Sequence, residues 1–287
     1  MSKALVLKLR ANDPNIIGVT LNNRMASKLE GWIFGEALAH NTVVQCLDLR
    51  YFDYQATIQL LNELKTNTTL KHLYVNQEGI IPHIMKLRRR NPKYLEQLKS
   101  LSARLCNNDD VSILPKFTEL NDLTLHSVDH KPVTQALMNV IKMPYVTRLT
   151  LDYVSLPSII GPILTRVAAQ LEYLKFDTVE GLTCDMIANI LRNGKNLVKF
   201  KYGDKEGLRF IQGDTGKIFD VLKSHATLQI FNLSCCEVKV PSLVGVFQHN
   251  KALTHVSIHV EEPIVDIDLA ISGLFYNSNV IGFDIWD

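Results

Sequence analysis

A chain of 287 residues, 46% hydrophobic and 21% charged, is ordinary globular material, long enough for one elongated repeat domain or two compact ones. Its formal charge of +2 lacks the basic excess of a nucleic-acid binder or a polybasic membrane protein. Five cysteines, an odd number without paired-ligand spacing, point to reduced thiols in a cytoplasmic setting.

The N-terminus alternates Leu5, Leu7 and Leu9 with Lys8 and Arg10, which reads as a strand and not as a signal peptide's unbroken apolar core. No window approaches the roughly eighteen apolar residues of a membrane span. Across the turn-rich 11–15 segment lies Ile16-Ile-Gly-Val19-Thr-Leu21, so residues 1–23 are expected to form a hairpin-like cap. From Arg24 to His40 the spacing becomes helical, with Met25, Leu29, Ile33 and Leu38 on one side. Then a phrase begins to repeat, apolar-x-x-apolar-x-apolar: Val44-Gln-Cys-Leu47-Asp-Leu49 and Leu70-Lys-His-Leu73-Tyr-Val75, each three residues after an Asn. The fourth copy can be framed from Leu95 or Leu98; Leu98 is preferred because Cys106 then falls at the turn. Leu120-Asn-Asp-Leu123-Thr-Leu125 follows. The clearest copies are Val146-Thr-Arg-Leu149-Thr-Leu151, Leu171-Glu-Tyr-Leu174-Lys-Phe176 and Leu197-Val-Lys-Phe200-Lys-Tyr202, whose first residues lie 25 and 26 positions apart. The next interval widens to 31 through residues 203–216, read as a loop insertion, before copies at Leu228, Leu253 and Val280. The expected organisation is one domain over 1–287: cap 1–23, repeats 24–202, insertion 203–216 and C-terminal repeats 217–287. One such unit cannot bury its apolar side alone, but a stack can.

The run from Val19-Thr-Leu21 through Glu36-Ala-Leu-Ala-His-Asn41 to Leu49 resembles ribonuclease-inhibitor-like leucine-rich repeats, in which strand, helix and next strand make a unit of about 28 residues. The resemblance implies an α/β leucine-rich-repeat solenoid (horseshoe), with a parallel concave sheet and an irregular helical convex side. It implies a protein that binds proteins. Regular members carry Asn or Cys three positions after the strand's last apolar residue. Here those positions are mostly Phe52, Glu78, Val128, Val154, Val179 and Lys205, with Cys only at Cys106 and Cys236, so the polar ladder is expected to be nearly absent. Small irregular proteins of this kind also resemble leucine-rich-repeat effectors that intracellular bacteria deliver into the host cytosol.

In this frame the third, fifth and seventh positions of each phrase point away from the core. They carry Asp48 and Arg50, His72 and Tyr74, Asp122 and His126 in the earlier copies. Arg148 and Asp152, Tyr173 and Lys175, then Lys199 and Lys201 follow in the later ones, with Tyr153 directly after a strand. Tyr and Arg supply most binding hot spots, and charges supply orientation and rate. The predicted partner is therefore another protein, an enzyme with its active site occluded being the most specific form of this reading; a substrate-recognition adaptor and a cysteine-dependent enzyme are the alternatives. No cofactor, metal, nucleic acid or membrane is expected as a partner.

The remaining motifs carry less. The run Lys86-Leu-Arg88-Arg89-Arg90-Asn-Pro-Lys93 closes a helix, where cations offset the dipole. Gly213-Asp-Thr-Gly216-Lys217 fails as a phosphate loop because Ile211 and Ile218 replace its Gly and Ser or Thr. Adjacent Cys235 and Cys236 suit neither zinc nor a redox pair, and His255 with His259 has no third ligand. Cys46, His72, Asp122 and His126 could meet across neighbouring strands as a nucleophilic group, but an open sheet seldom excludes water.

Overall fold

In the computed structural model the repeated phrase becomes a set of short parallel strands. The structure describes residues 3–106, 111–112, 114–127, 130–203, 211–234, 240–259, 267–274 and 279–286. Among them are eleven strands: β1 (Gly18–Thr20), β2 (Cys46–Asp48), β3 (His72–Tyr74), β4 (Ser100–Arg104), β5 (Asp122–His126), β6 (Arg148–Asp152), β7 (Tyr173–Asp177), β8 (Lys199–Gly203), β9 (Ile230–Leu233), β10 (His255–His259) and β11 (Gly282–Trp286). They are ordered along the sheet as along the chain, and each described pairing is parallel. Parallel neighbours need crossovers. Helices supply them: α1 (Lys3–Arg10), α2 (Lys28–Ala39), α3 (Tyr54–Glu63), α4 (Ile80–Arg90), α5 (His130–Val140), α6 (Gly161–Ala168), α7 (Cys184–Asn193), α8 (Gly216–Leu222), α9 (Val240–His249) and α10 (Ile267–Leu274). The chain divides into two compact units, residues 1–127 with 131–145, and residues 128–130 with 146–287.

In the first unit, Leu47, Leu73, Leu101 and Leu123 stand at one level of successive strands and are at most 1% exposed. Leu101 pairs with Leu73 and Ser102 with Tyr74, which frames the fourth copy from Leu98, as the position of Cys106 suggested. A one-residue slip would turn the apolar set outward, so burial fixes the register. The N-terminus departs from the expected hairpin. Residues Lys3–Arg10 are helical, burying Val6 and Leu9 at helical spacing, and β1 pairs in parallel with β2. The helix ends at Asn12, whose φ of 54° lies in the left-handed region and whose Oδ1 accepts from the Thr42 amide at 2.8 Å.

Helix α2 also turns otherwise than its large apolar residues suggested. Ser27 and Glu30 form a capping box, but Met25 and Leu29 are 89% and 63% exposed, while Gly31, Phe34, Gly35 and Leu38 face inward. A Cβ on Gly31 would collide with the Ala56 carbonyl, and one on Gly35 would come within 2.8 Å of the Leu60 carbonyl. Helix α3 thus packs on the glycine face. Arg88, part of the basic run that closes α4, is 8% exposed and structural: it donates to the Tyr94 carbonyl at 2.6 Å and the Lys116 carbonyl at 2.9 Å, and lies 4.7 Å from the Phe117 ring.

A polar ladder does exist, on the bend before three of the strands, at Asn41, Asn67 and Asn250. In the first unit the Asn41 side chain donates to the Leu9 carbonyl at 2.7 Å and accepts from the amides of Val43 and Val44. One repeat later Asn67 donates to the Leu38 carbonyl at 2.8 Å and accepts from Thr69 and Leu70. In the second unit Asn250 does the same between the carbonyls of Leu222 and His225 and the amides of Ala252 and Leu253. Each side chain ties one repeat's helix end to the next repeat's strand entry, satisfying backbone groups that helix termini leave open. On the bend after the strand Phe52, Val154 and Val179 are buried at 3% exposure or less, while Gln77 after β3 donates to the Phe52 carbonyl at 2.8 Å and Ser127 after β5 to the Leu105 carbonyl at 3.1 Å.

The second unit replaces leucine with a run of phenylalanines. Phe200 stacks on Phe231 at 5.8 Å and meets Phe176 at 5.9 Å. After β6 and β7 the backbone turns left-handed, at Tyr153 (φ 53°) and Thr178 (φ 52°). Residues 204–210 of the expected insertion, together with Val128, Cys235 and Cys236, lie outside the described residues.

Candidate functional site

Parallel register sorts the outward side chains into rows, one residue per strand, with strands about 4.8 Å apart. On the first unit one row is Cys46, His72, Ser100, Asp122 and the next is Asp48, Tyr74, Ser102, Thr124. Arg50 holds Asp48 through contacts of 2.7 to 3.2 Å and lies 5.7 Å from the Tyr74 ring. Partial burial raises the Asp48 pKa, but its hydrogen bonds from Arg50 outweigh that and keep it below the ordinary carboxylate range. Tyr51 is exposed under Arg24, at 5.5 Å.

The histidines of this face rest on serines. His72 Nδ1 lies 2.9 Å from Ser100 Oγ, and His126 Nε2 lies 2.9 Å from Ser102 Oγ; both serines are buried. Burial, then the Asp48 charge, push the Cys46 thiol above its ordinary pKa. That is opposite to what a thiolate nucleophile needs.

On the second unit Arg148, Tyr173 and Lys199 form one row. The Arg148 guanidinium sits 4.4 Å from the Tyr173 ring centroid and Lys199 Nζ 5.7 Å from it, so one ring carries two cations. The next row is Thr150, Lys175, Lys201, Asn232. Lys175 Nζ is 2.6 Å from Asp177 Oδ2. Asp177 and Asp152 are 3% and 8% exposed, so they form the floor of this face, whereas Tyr153 is 46% exposed at its edge. Lys175, Asp177, Lys201, Gly203, Asn232 and Ser234 surround a cavity of about 260 Å³. Asn232 and Ser234 were not among the predicted residues, although extending the same rows by one strand reaches them.

Elsewhere, burial and then the charges of Asp185 and Asp214 push the Cys184 thiol up to about 11. His255 Nδ1 lies 3.0 Å from Thr254 Oγ1. Among the described residues no cluster of three or more His, Cys, Asp or Glu could hold a metal, and no helix is long and apolar enough to cross a membrane.

No protein-family model matches the chain, and neither does any curated protein. Among solved structures it is similar to the crystal structure of the leucine-rich repeat-containing protein LegL7 from Legionella pneumophila, with a TM-score of 0.54 and 14% identity over 93% of this chain and 90% of that one. At that identity the likeness speaks for architecture, and it agrees with the strand order and the repeated phrase: the chain has the α/β leucine-rich-repeat fold, an open parallel sheet backed by helices.

Proposed function

We propose that this protein is a non-enzymatic scaffold that grips a partner protein on the outward face of its repeat sheet, and that occlusion of the partner's own functional surface is its effect. The observation that carries this reading is the Arg148–Tyr173–Lys199 row. Two cations over one ring hold an aromatic side chain in place before any partner arrives, so less side-chain entropy is lost on binding. Arg50 over Tyr74, with Asp48, His72, Asp122 and His126 around them, gives the first unit a face of the same composition. Arg and Tyr at the centre of a patch with charged neighbours is the chemistry of an interface hot spot. The raised thiols of Cys46 and Cys184 favour binding over cysteine chemistry. Delivery into a host cytosol is a further part of this reading, supported by the resemblance of the repeats to bacterial effectors.

The test is site-directed. A photo-crosslinking residue at Tyr153 captures the partner, and the affinity of the purified pair is then measured for wild type, Arg148→Ala and Tyr173→Ala. Each variant is expected to weaken binding by about 1 to 3 kcal/mol with circular dichroism unchanged. Equal affinity in both folded variants would remove this row from the interface.

A further inference from the structure

The three lysines of the second unit's face are engaged very differently. Lys175 is bound to Asp177 at 2.6 Å, and Lys199 lies over Tyr173 at 5.7 Å. Lys201, the register partner of Lys175 and two residues beyond Lys199 on β8, is half-buried and meets neither a carboxylate nor a ring among the described residues. It lines the cavity of about 260 Å³ together with Lys175, Asp177, Asn232 and Ser234. Asn232 is its register partner on β9. Two ammonium groups line the cavity, Lys175 and Lys201, against one carboxylate, Asp177, which is 3% exposed and already held by Lys175, so the cavity keeps one surplus positive charge. At Gly203 the wall opens: a Cβ there would meet nothing within 4 Å.

We infer that this cavity is an anion subsite, in which Lys201, Asn232 and Ser234 receive a carboxylate from an acidic segment of the partner protein. The ammonium supplies a charge-assisted hydrogen bond, and the amide and hydroxyl donate to the second oxygen. Burial, then the charges of Lys199 and Lys175, hold the Lys201 pKa below its ordinary value. An arriving carboxylate relieves that repulsion, so binding is accompanied by proton uptake where Lys201 is partly neutral.

This inference rests on the scaffold reading but is tested apart from it. The probe is a short poly-glutamate peptide titrated into the isotope-labelled full chain and followed by backbone amide shifts, beside poly-glutamine and inorganic phosphate. The variants are Lys201→Gln, Gly203→Asp, which sets a carboxylate into open space at the cavity mouth, and Lys28→Gln, an exposed control with the same charge change. Poly-glutamate is expected to shift Lys201, Gly203 and Ser234, and Lys201→Gln and Gly203→Asp should each lower its affinity about tenfold, as the loss of one charge-assisted hydrogen bond implies. The control should leave it unchanged. Equal losses in all three variants, or shifts confined to other residues, would overturn the subsite. Binding of phosphate at Lys201 without binding of poly-glutamate would overturn the acidic-segment assignment. If the peptide result holds while Arg148→Ala and Tyr173→Ala leave partner affinity untouched, the subsite stands and the Tyr173 row falls; the reverse pattern removes the subsite alone.

Discussion

Replacing Asn67 with Ala tests whether the ladder on the strand-entry bend joins neighbouring repeats. The side chain is 7% exposed and makes three short hydrogen bonds, to the Leu38 carbonyl at 2.8 Å and from the amides of Leu70 at 2.9 Å and Thr69 at 3.1 Å, with a longer one to the Asn41 carbonyl at 3.3 Å. Each short bond contributes about 1 kcal/mol net, and each buried group left without a partner costs about 1 to 3 kcal/mol. Leu38 and Leu70 are 1% and 2% exposed, so water does not readily replace the lost partner. The expected loss is about 3 to 5 kcal/mol, near the top of the range for single substitutions. Urea denaturation followed by circular dichroism measures it, against Asn193→Ala, whose side chain bonds the Asn189 carbonyl at 2.9 Å on an exposed helix end and should cost under about 1 kcal/mol. Asn67→Asp separates bonding from size, because it keeps the acceptor but turns the donor into an anion facing two carbonyls. Its folded-state pKa should lie above the unfolded value of about 3.9, so the unfolded chain releases its proton first and stability falls as pH rises through that window. If Asn67→Ala costs no more than Asn193→Ala, the ladder does not connect the repeats.

Two further substitutions probe the second unit. His225 stands where the ladder has Asn: its Nδ1 accepts from the Leu228 amide at 3.2 Å, but its buried Nε2 faces the carbonyls of Leu191 and Gly194 without closing a hydrogen bond, beside a cavity of about 320 Å³. Burial keeps this imidazole's pKa below 6.5, so the unfolded chain binds the extra proton, and wild type loses stability as pH falls through 6.5 toward the folded value. His225→Asn should raise stability by about 1 kcal/mol and remove that acid component; urea midpoints on either side of pH 6.5 check both, and an unchanged pH slope would refute the assignment. Phe200→Ala, at the centre of the phenylalanine run and 0% exposed, should cost about 3 to 5 kcal/mol, with Phe200→Leu recovering most of it; a loss under about 1 kcal/mol would mean that the site collapses around the gap.

The strands were legible because their signal is doubly constrained. Alternation at period two with one buried face permits a single register, and Leu98, Leu101 and Ala103 follow it even where the sequence offers the Leu95 frame. The same alternation misleads where nothing pairs with it. Leu5, Leu7 and Leu9 alternate, yet the segment is a helix whose buried residues are Val6 and Leu9, a spacing of three that was also present in the sequence. In α2 the misleading feature was size. A search for large apolar residues passes over Gly31 and Gly35, whose lack of a side chain is what lets α3 approach. The Asn ladder is visible in the sequence as an Asn three residues before Val44, Leu70 and Leu253, a different place from the position after the strand where regular repeats carry it.

The outward rows follow from register alone, since in a parallel sheet a residue's lateral neighbours follow from the frame. Arg148, Tyr173 and Lys199 share a row for that reason. What register does not carry is depth. Asp152 and Asp177 occupy the same outward position as Arg50, yet they are buried where Arg50 is exposed. The difference lies one residue on, at Tyr153 and Thr178, where a left-handed φ carries the chain sharply away from the strand. No glycine marks either turn, so a backbone conformation that costs most residues about 1 kcal/mol or more is held there by its surroundings. The Tyr153 amide reaches the Asp177 carbonyl at 3.0 Å and the Thr178 amide the Gly203 carbonyl at 2.8 Å, extending the interstrand bonding by one residue past each turn. Those bonds offset the strain, sink the two carboxylates and leave Lys175 held from below, which is how a row of solvated charges becomes the floor and wall of a cavity.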